Sequence, residues 1–212
     1  MKPILINTEM VRAILAWRKT QTRRVNKDGS EYSAPDMSFF DPESRTYAIR
    51  NYADREHQQQ TSLVQAPVPI CPGDILWVRE TWRWKTPSVL EETKYIYRAD
   101  IHPADETEQK WRPSIHMPKD AARIFLRVTD VRVERLQDIT NADCVSEGAV
   151  KRPNMTKRGD LILHNRYRKE FGELWDRTIK PTDLDRYGWD ANPWVWVYSF
   201  ERISKEEAES IR

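Results

Sequence analysis

Two alternating stretches in succession constrain this chain more than any other feature. Ala122-Arg123-Ile124-Phe125-Leu126-Arg127-Val128 interleaves apolar and basic side chains, and after Thr129-Asp130 the pattern resumes in Val131-Arg132-Val133-Glu134-Arg135-Leu136. A period of two belongs to a strand with one buried face. The spacing predicts one long strand bent at Asp130, or two successive strands.

Further strands surround it. The turn Cys71-Pro72-Gly73-Asp74 delivers the apolar run Ile75-Leu76-Trp77-Val78-Arg79-Glu80, with Lys94–Ala99 as its expected partner, and Trp194–Glu201 reads as a terminal strand. Helices are fewer. Asn7 or Thr8 caps a first one with Met10, Val11, Ile14, Leu15 and Trp17 as its stripe, and the capping box at Thr140–Asp143 with a stop at Gly148 brackets a second. A third runs from Asn165 to about Arg177, with Tyr167, Phe171, Leu174 and Trp175 at helical spacing. Strands outnumber helices and no regular helical crossovers separate them. The expected fold is α+β, a small mixed β-barrel flanked by helices, rather than a doubly wound sheet.

The 212 residues fit a single domain over 1–204 with polar loop insertions at about 26–69 and 84–117, followed by a charged tail at 205–212. The first insertion is expected to hold one hairpin, including Thr46–Arg50. With 39% hydrophobic and 32% charged residues, the core must draw on aromatics, including nine Trp. Cys71 and Cys144 lie far apart, and neither has a His at ligand spacing, so no metal, no cofactor and no disulfide framework are expected. The apolar run Ile4-Leu5-Ile6 is too short for a signal peptide or a membrane span, and the chain reads as soluble and cytoplasmic.

A formal net charge of +2 rules out steering by total charge, so any attraction for nucleic acid needs a local patch. Arg18-Lys19-Thr20-Gln21-Thr22-Arg23-Arg24 is such a patch, with no acid between Glu9 and Asp28. If the preceding helix persists, Lys19 and Thr22 share a face; if the chain is extended, Thr20, Thr22 and Arg24 do. A Thr hydroxyl becomes a nucleophile when a base removes its proton, and a lysine can do this when burial or neighbouring cations depress its pKa. A solvated basic turn is the plain alternative. Glu147, in the last turn of its short helix, stands where the dipole disfavours a carboxylate and is a candidate proton shuttle. Glu80 ends a buried strand, at a ligand opening or simply at water. Trp82 and Trp84 could stack on a base or pack as core.

In sum these segments resemble the ASCH family, a branch of the PUA-like barrels. Ile14–Arg24 is similar to the family's helix followed by G-x-K-T-x-T-x-R, Cys71–Glu80 to its x-P-G-D-x-L-x-V strand entry, Val128–Gly148 to its strand, helix and A-x-x-E-G segment, and Asn192–Val197 to the closing strand of larger, often phage- or prophage-encoded members. Trp17 stands where glycine is usual, and the chain is about twice the length of the compact members. The resemblance implies a cleft for RNA, single-stranded nucleic acid or a modified nucleoside. Some small bacterial members hydrolyse the amide of N4-acetylcytidine with a Lys, a Thr and a Glu, which match Lys19, Thr22 and Glu147 here, and others are ribonucleases. Arg24 matches the motif's last arginine. The expected ligand-binding set is Arg23, Arg24, Glu80 and Trp82. A non-catalytic nucleic-acid reader, or a phage protein that engages a host factor through its insertions, are the other readings.

Overall fold

A computed structural model describes residues 1–27, 38–41, 43–52, 60–85, 94–105, 110–149 and 161–211. In chain order these form β1 (Lys2–Leu5), α1 (Thr8–Leu15), β2 (Gln21–Val25), β3 (Ser38–Asp41), β4 (Thr46–Tyr52), β5 (Gln60–Pro67), β6 (Ile75–Arg79), β7 (Trp82–Trp84), β8 (Tyr95–Tyr97), β9 (Phe125–Arg135), α2 (Asn141–Ser146), α3 (Leu161–Asp176), α4 (Leu184–Tyr187), β10 (Trp194–Ile203) and α5 (Lys205–Ser210). The architecture is α+β.

Five strands make the main sheet in the order β1-β6-β9-β10-β2; β1 lies parallel to β6 and the other neighbours are antiparallel. β9 is one strand, and a bulge sets Asp130 against Ser199 but Val128 against Phe200. The extra residue matters because Val128 and Val131 are an odd number of positions apart. Without the bulge they would face opposite ways; with it Leu126, Val128, Val131 and Val133 all reach the same core.

β10 divides the core by simple alternation. Trp194, Trp196, Tyr198 and Phe200 face the cluster under α1, where Val11 and Ile14 are buried, while Val195 and Val197 face Cys144 of α2 with Phe171 and Trp175 of α3. Each such side chain, fully buried, contributes roughly 1.5–3 kcal/mol.

The expected barrel does not close. β1 and β2 are the two edges of the sheet, and no backbone pairing joins them; Arg24 Nη2 instead donates to Leu5 O at 2.7 Å. At the start of β2 the outer position is taken by the C-terminal end of α2, where Thr20 N donates to Ser146 O at 2.7 Å and Lys19 forms a bridge with Glu147. A strand cannot be added where a helix end already sits.

The insertions carry more order than polar loops. The first holds a three-stranded antiparallel sheet, β3-β4-β5, rather than one hairpin. In the second, β8 pairs with β7 and not with β6, because β1 and β9 already occupy both edges of β6. The segment expected as a charged tail forms α5, capped by the Ser204 hydroxyl, which accepts from Glu207 N at 3.1 Å, and anchored by buried Ala208. No described helix is long and apolar enough to cross a membrane.

Candidate functional site

α1 ends in a left-handed turn that aims the basic run. Trp17 N donates to Ile14 O at 3.0 Å and Arg18 N to Ala13 O at 2.8 Å, the paired bonds of a Schellman cap. Trp17 occupies the left-handed position with φ of 57°, which explains why glycine would suit it, and its 64% exposed ring lies under the Arg202 guanidinium at 4.0 Å. The turn settles the choice between helix and extension. Lys19 stands in the bridge between them, and the chain is extended from Gln21.

α2 brings the acid. Thr140 caps it and Asp143 returns the bond, so the predicted capping box is present, and Glu147 is the C-cap. Gly148 follows with φ of 75°, where a Cβ would lie 2.7 Å from Ala13 Cβ and 3.1 Å from Lys19 Cβ. The absent side chain therefore lets α2 approach the end of α1.

At that junction Lys19 Nζ donates to Glu147 Oε2 at 2.7 Å, to Glu147 O at 2.9 Å and to Gln21 O at 2.7 Å. An ammonium has three N–H groups, so this one is saturated. Burial pushes the Lys19 pKa below its ordinary value; Glu147 opposes this, while Arg24 and Arg23 add to the lowering.

Arg23 also turns inward, its side chain 0% exposed. Its Nη1 donates to Glu147 Oε1 at 3.0 Å, and its Nε and Nη2 donate to Glu134 Oε1 at 2.9 and 2.5 Å. Arg132 bonds Glu134 and Asp143 from the far side. Arg23 thus holds Glu147 in place and has no fork left for an outside anion.

Lys19, Thr22, Arg23, Arg24 and Glu147 line one narrow cleft, with about 80 Å³ of room for water. It occupies the gap between the two sheet edges. Leu5, Ile6, Asn7 and Met10 form the β1–α1 wall, and Phe171, Leu174, Trp175 and Thr178 form the α3 wall. Thr22, 5% exposed, lines the cleft as well. Arg24 is solvent-exposed, and an arginine in contact with water stays charged.

The structure does not bring Glu80 or Trp82 to this cleft. Glu80 is buried beneath a bidentate Arg123, at 2.9 and 3.0 Å, and its pKa is raised by burial against the pull of that arginine. Trp82, 1% exposed, packs on Met117 and Ala121 in a satellite core. Trp84, two residues on, is the exposed ring of that pair.

The sequence reading missed the α3 wall, whose Phe171, Leu174 and Trp175 were recognised only as a core stripe. It also missed Glu134 and Asp143. Alternation does place Glu134 and Arg132 on one face of β9, and that was the available signal. Cys144 is buried, and burial pushes its thiol up to about 12, which leaves it inert. Among the described residues no group of three His, Cys, Asp or Glu side chains converges to hold a metal. Comparison with protein-family models, with curated proteins and with solved structures finds no match for this chain.

Proposed function

We propose that the cleft hydrolyses an amide on a modified nucleobase, of the N4-acetylcytidine kind, or a linkage in RNA, and that the chain is a larger member of the ASCH family. The observation that carries this reading is the buried Lys19–Glu147 pair at 2.7 Å in a cleft that Thr22 also lines.

The amide reaction is an acyl transfer in two halves. Neutral Lys19 takes the Thr22 proton as Oγ1 bonds to the amide carbon. The C–N bond then breaks, the proton passes through Lys19 and Glu147 to the leaving amine, and an acyl-Thr22 ester remains. Water adds to the ester, its proton returns to Thr22, and the products are a carboxylic acid and the free base. Arg24 stabilises charge developing on the carbonyl oxygen. No step calls for a metal or cofactor. The buried free thiols Cys71 and Cys144 suit a reducing, cytoplasmic compartment.

Incubation with N4-acetylcytidine and, separately, with structured RNA tests the reading. The wild type is expected to release product, and Lys19→Ala to lose about 100-fold or more of the rate. Binding without turnover by the wild type would overturn catalysis and leave a nucleic-acid reader.

A further inference from the structure

Four rings share one face of the β7–β8 hairpin. The pairing of Trp82 with Tyr97 and of Trp84 with Tyr95, together with strand alternation, puts them all on the same side. Trp82 is sunk in the satellite core and forms the wall on which the outer rings rest. Trp84 meets it edge-on at 5.1 Å between centroids and lies against Tyr95 at 4.9 Å, yet stays 50% exposed. A large ring held by two neighbours has few orientations left to lose, so a partner that lies on it pays little ordering entropy. The hairpin itself is tied to the body by the Tyr97 hydroxyl, which donates to Ala121 O at 2.7 Å.

The positive charge beside this ring is uncompensated. Arg112 pairs backbone to backbone with Trp82 on the other side of β7, and its exposed guanidinium lies over the Trp82 ring at 5.6 Å. Arg83, on the opposite face, lies over Trp111 at 4.9 Å, and its Nε and Nη1 are buried with no acceptor. Neither arginine forms an ion pair with any described residue. Arg123, Arg127, Arg132 and Arg166, in contrast, each bond a carboxylate. Asp120 borders the hairpin, where it accepts from the Tyr95 hydroxyl at 2.5 Å. A guanidinium that has given up water without gaining an acceptor is stabilised by an incoming anion, and phosphate matches its fork.

An open ring beside cations that bind no carboxylate fits single-stranded nucleic acid, whose bases offer π faces and whose backbone offers phosphates. We infer that the β7–β8 hairpin is a surface for single-stranded nucleic acid, separate from the cleft. An unstacked base lies on Trp84, a neighbouring phosphate goes to Arg112, and Arg83 adds positive charge from the far face. None of these three residues lines the cleft, so the surface stands apart from the reaction proposed there. A duplex fits it poorly, because its bases are already stacked on one another.

Fluorescence anisotropy with labelled single strands of about a dozen nucleotides, as RNA and as DNA, and with the matching duplex tests this. The wild type is expected to hold the single strands more tightly than the duplex, and less tightly as salt rises. Trp84→Ala is expected to weaken binding about ten-fold, and Trp84→Phe, which keeps a ring, to retain part of it. Arg112→Gln changes an exposed side chain, and is expected to weaken binding and to lower the salt dependence by roughly one phosphate contact. The tighter of the RNA and DNA strands identifies the source of the ligand. A wild type that binds no single strand would overturn the surface and leave an acidic protein as the hairpin's partner. A duplex held as tightly as the single strands would overturn it too, since stacking would then contribute nothing. Binding that survives both Trp84→Ala and Arg112→Gln would place the strand elsewhere and also overturn it. Turnover of N4-acetylcytidine, a free nucleoside, is read separately, so this surface and the cleft reaction fail independently.

Discussion

Lys19 works as a base only from its neutral form, and its surroundings pull both ways. Burial and the two following arginines favour the neutral amine, while Glu147 favours the ammonium. Removing the carboxylate should therefore cost more than removing the amine. Glu147→Gln leaves Lys19 and Arg23 facing each other in a buried site, for a loss of about 3 kcal/mol in chemical denaturation. Lys19→Ala leaves Glu147 still paired with Arg23 and is expected to cost less; the reverse ranking would contradict this network. Gly148→Ala is expected to lose about 1–2 kcal/mol from its left-handed φ alone. Its methyl group would also press on Ala13 and Lys19, so catalysis should fall further than stability does. At this scale the basic run holding Lys19 and Thr22, and Glu147 before Gly148, are each local patterns that sequence can single out, whereas the contact of Lys19 with Glu147 across 128 residues is made by the fold. Sequence misassigned Arg23, which looks like its neighbour Arg24 on paper and was expected to bind ligand with it, whereas Glu134 and Glu147 take its donors. Strand alternation sends one inward to Glu134 and the other to the cleft.

Among the elements, the turn before β6 shows how a short motif ties distant parts together. Asp74 Oδ2 accepts from Cys71 N at 2.8 Å and from Lys2 Nζ at 2.7 Å, and Arg45 reaches it from the first insertion at 2.8 Å. Burial raises the Asp74 pKa, but the Cys71 amide and the Lys2 and Arg45 cations outweigh it, and the net shift is downward from 3.8. A carboxyl with a depressed folded pKa contributes stability that is present above its unfolded value and is lost as pH falls through the folded one. Asp74→Asn is accordingly expected to cost about 1–2 kcal/mol at neutral pH and to match the wild type in strong acid. A constant difference across pH, followed by thermal melting, would exclude this linkage. Caps, turns and alternation are local grammar, so the capping box of α2, the strand entry at Ile75 and the bulge near Asp130 could be read in advance. The pairing of β8 with β7 could not, because it depends on which edges of β6 other strands have already filled.

For the whole molecule, the second insertion is fastened to the body by Glu80 and Arg123, with Asp100 accepting from Arg123 Nη1 at 2.7 Å. Arg123→Leu strands a fully buried carboxylate and is expected to cost about 3–5 kcal/mol, whereas Arg123→Leu with Glu80→Leu should recover most of it. A double variant no more stable than the single one would show that packing over Tyr97, and not charge, holds this junction. Sheet closure was the part of the fold that composition and pattern could not decide, since the same strands serve a barrel or an open sheet. Here the edges face one another across the cleft with the Arg24–Leu5 bond between them. Such a seam behaves like a clasp. A ligand that touches both walls would tie the two halves of the sheet together, so backbone amides of β1 and β2 should exchange with deuterated solvent more slowly when the cleft is filled. The slowing would fade with distance from the seam, which makes hydrogen exchange a way to find what this cleft accepts before any reaction is known.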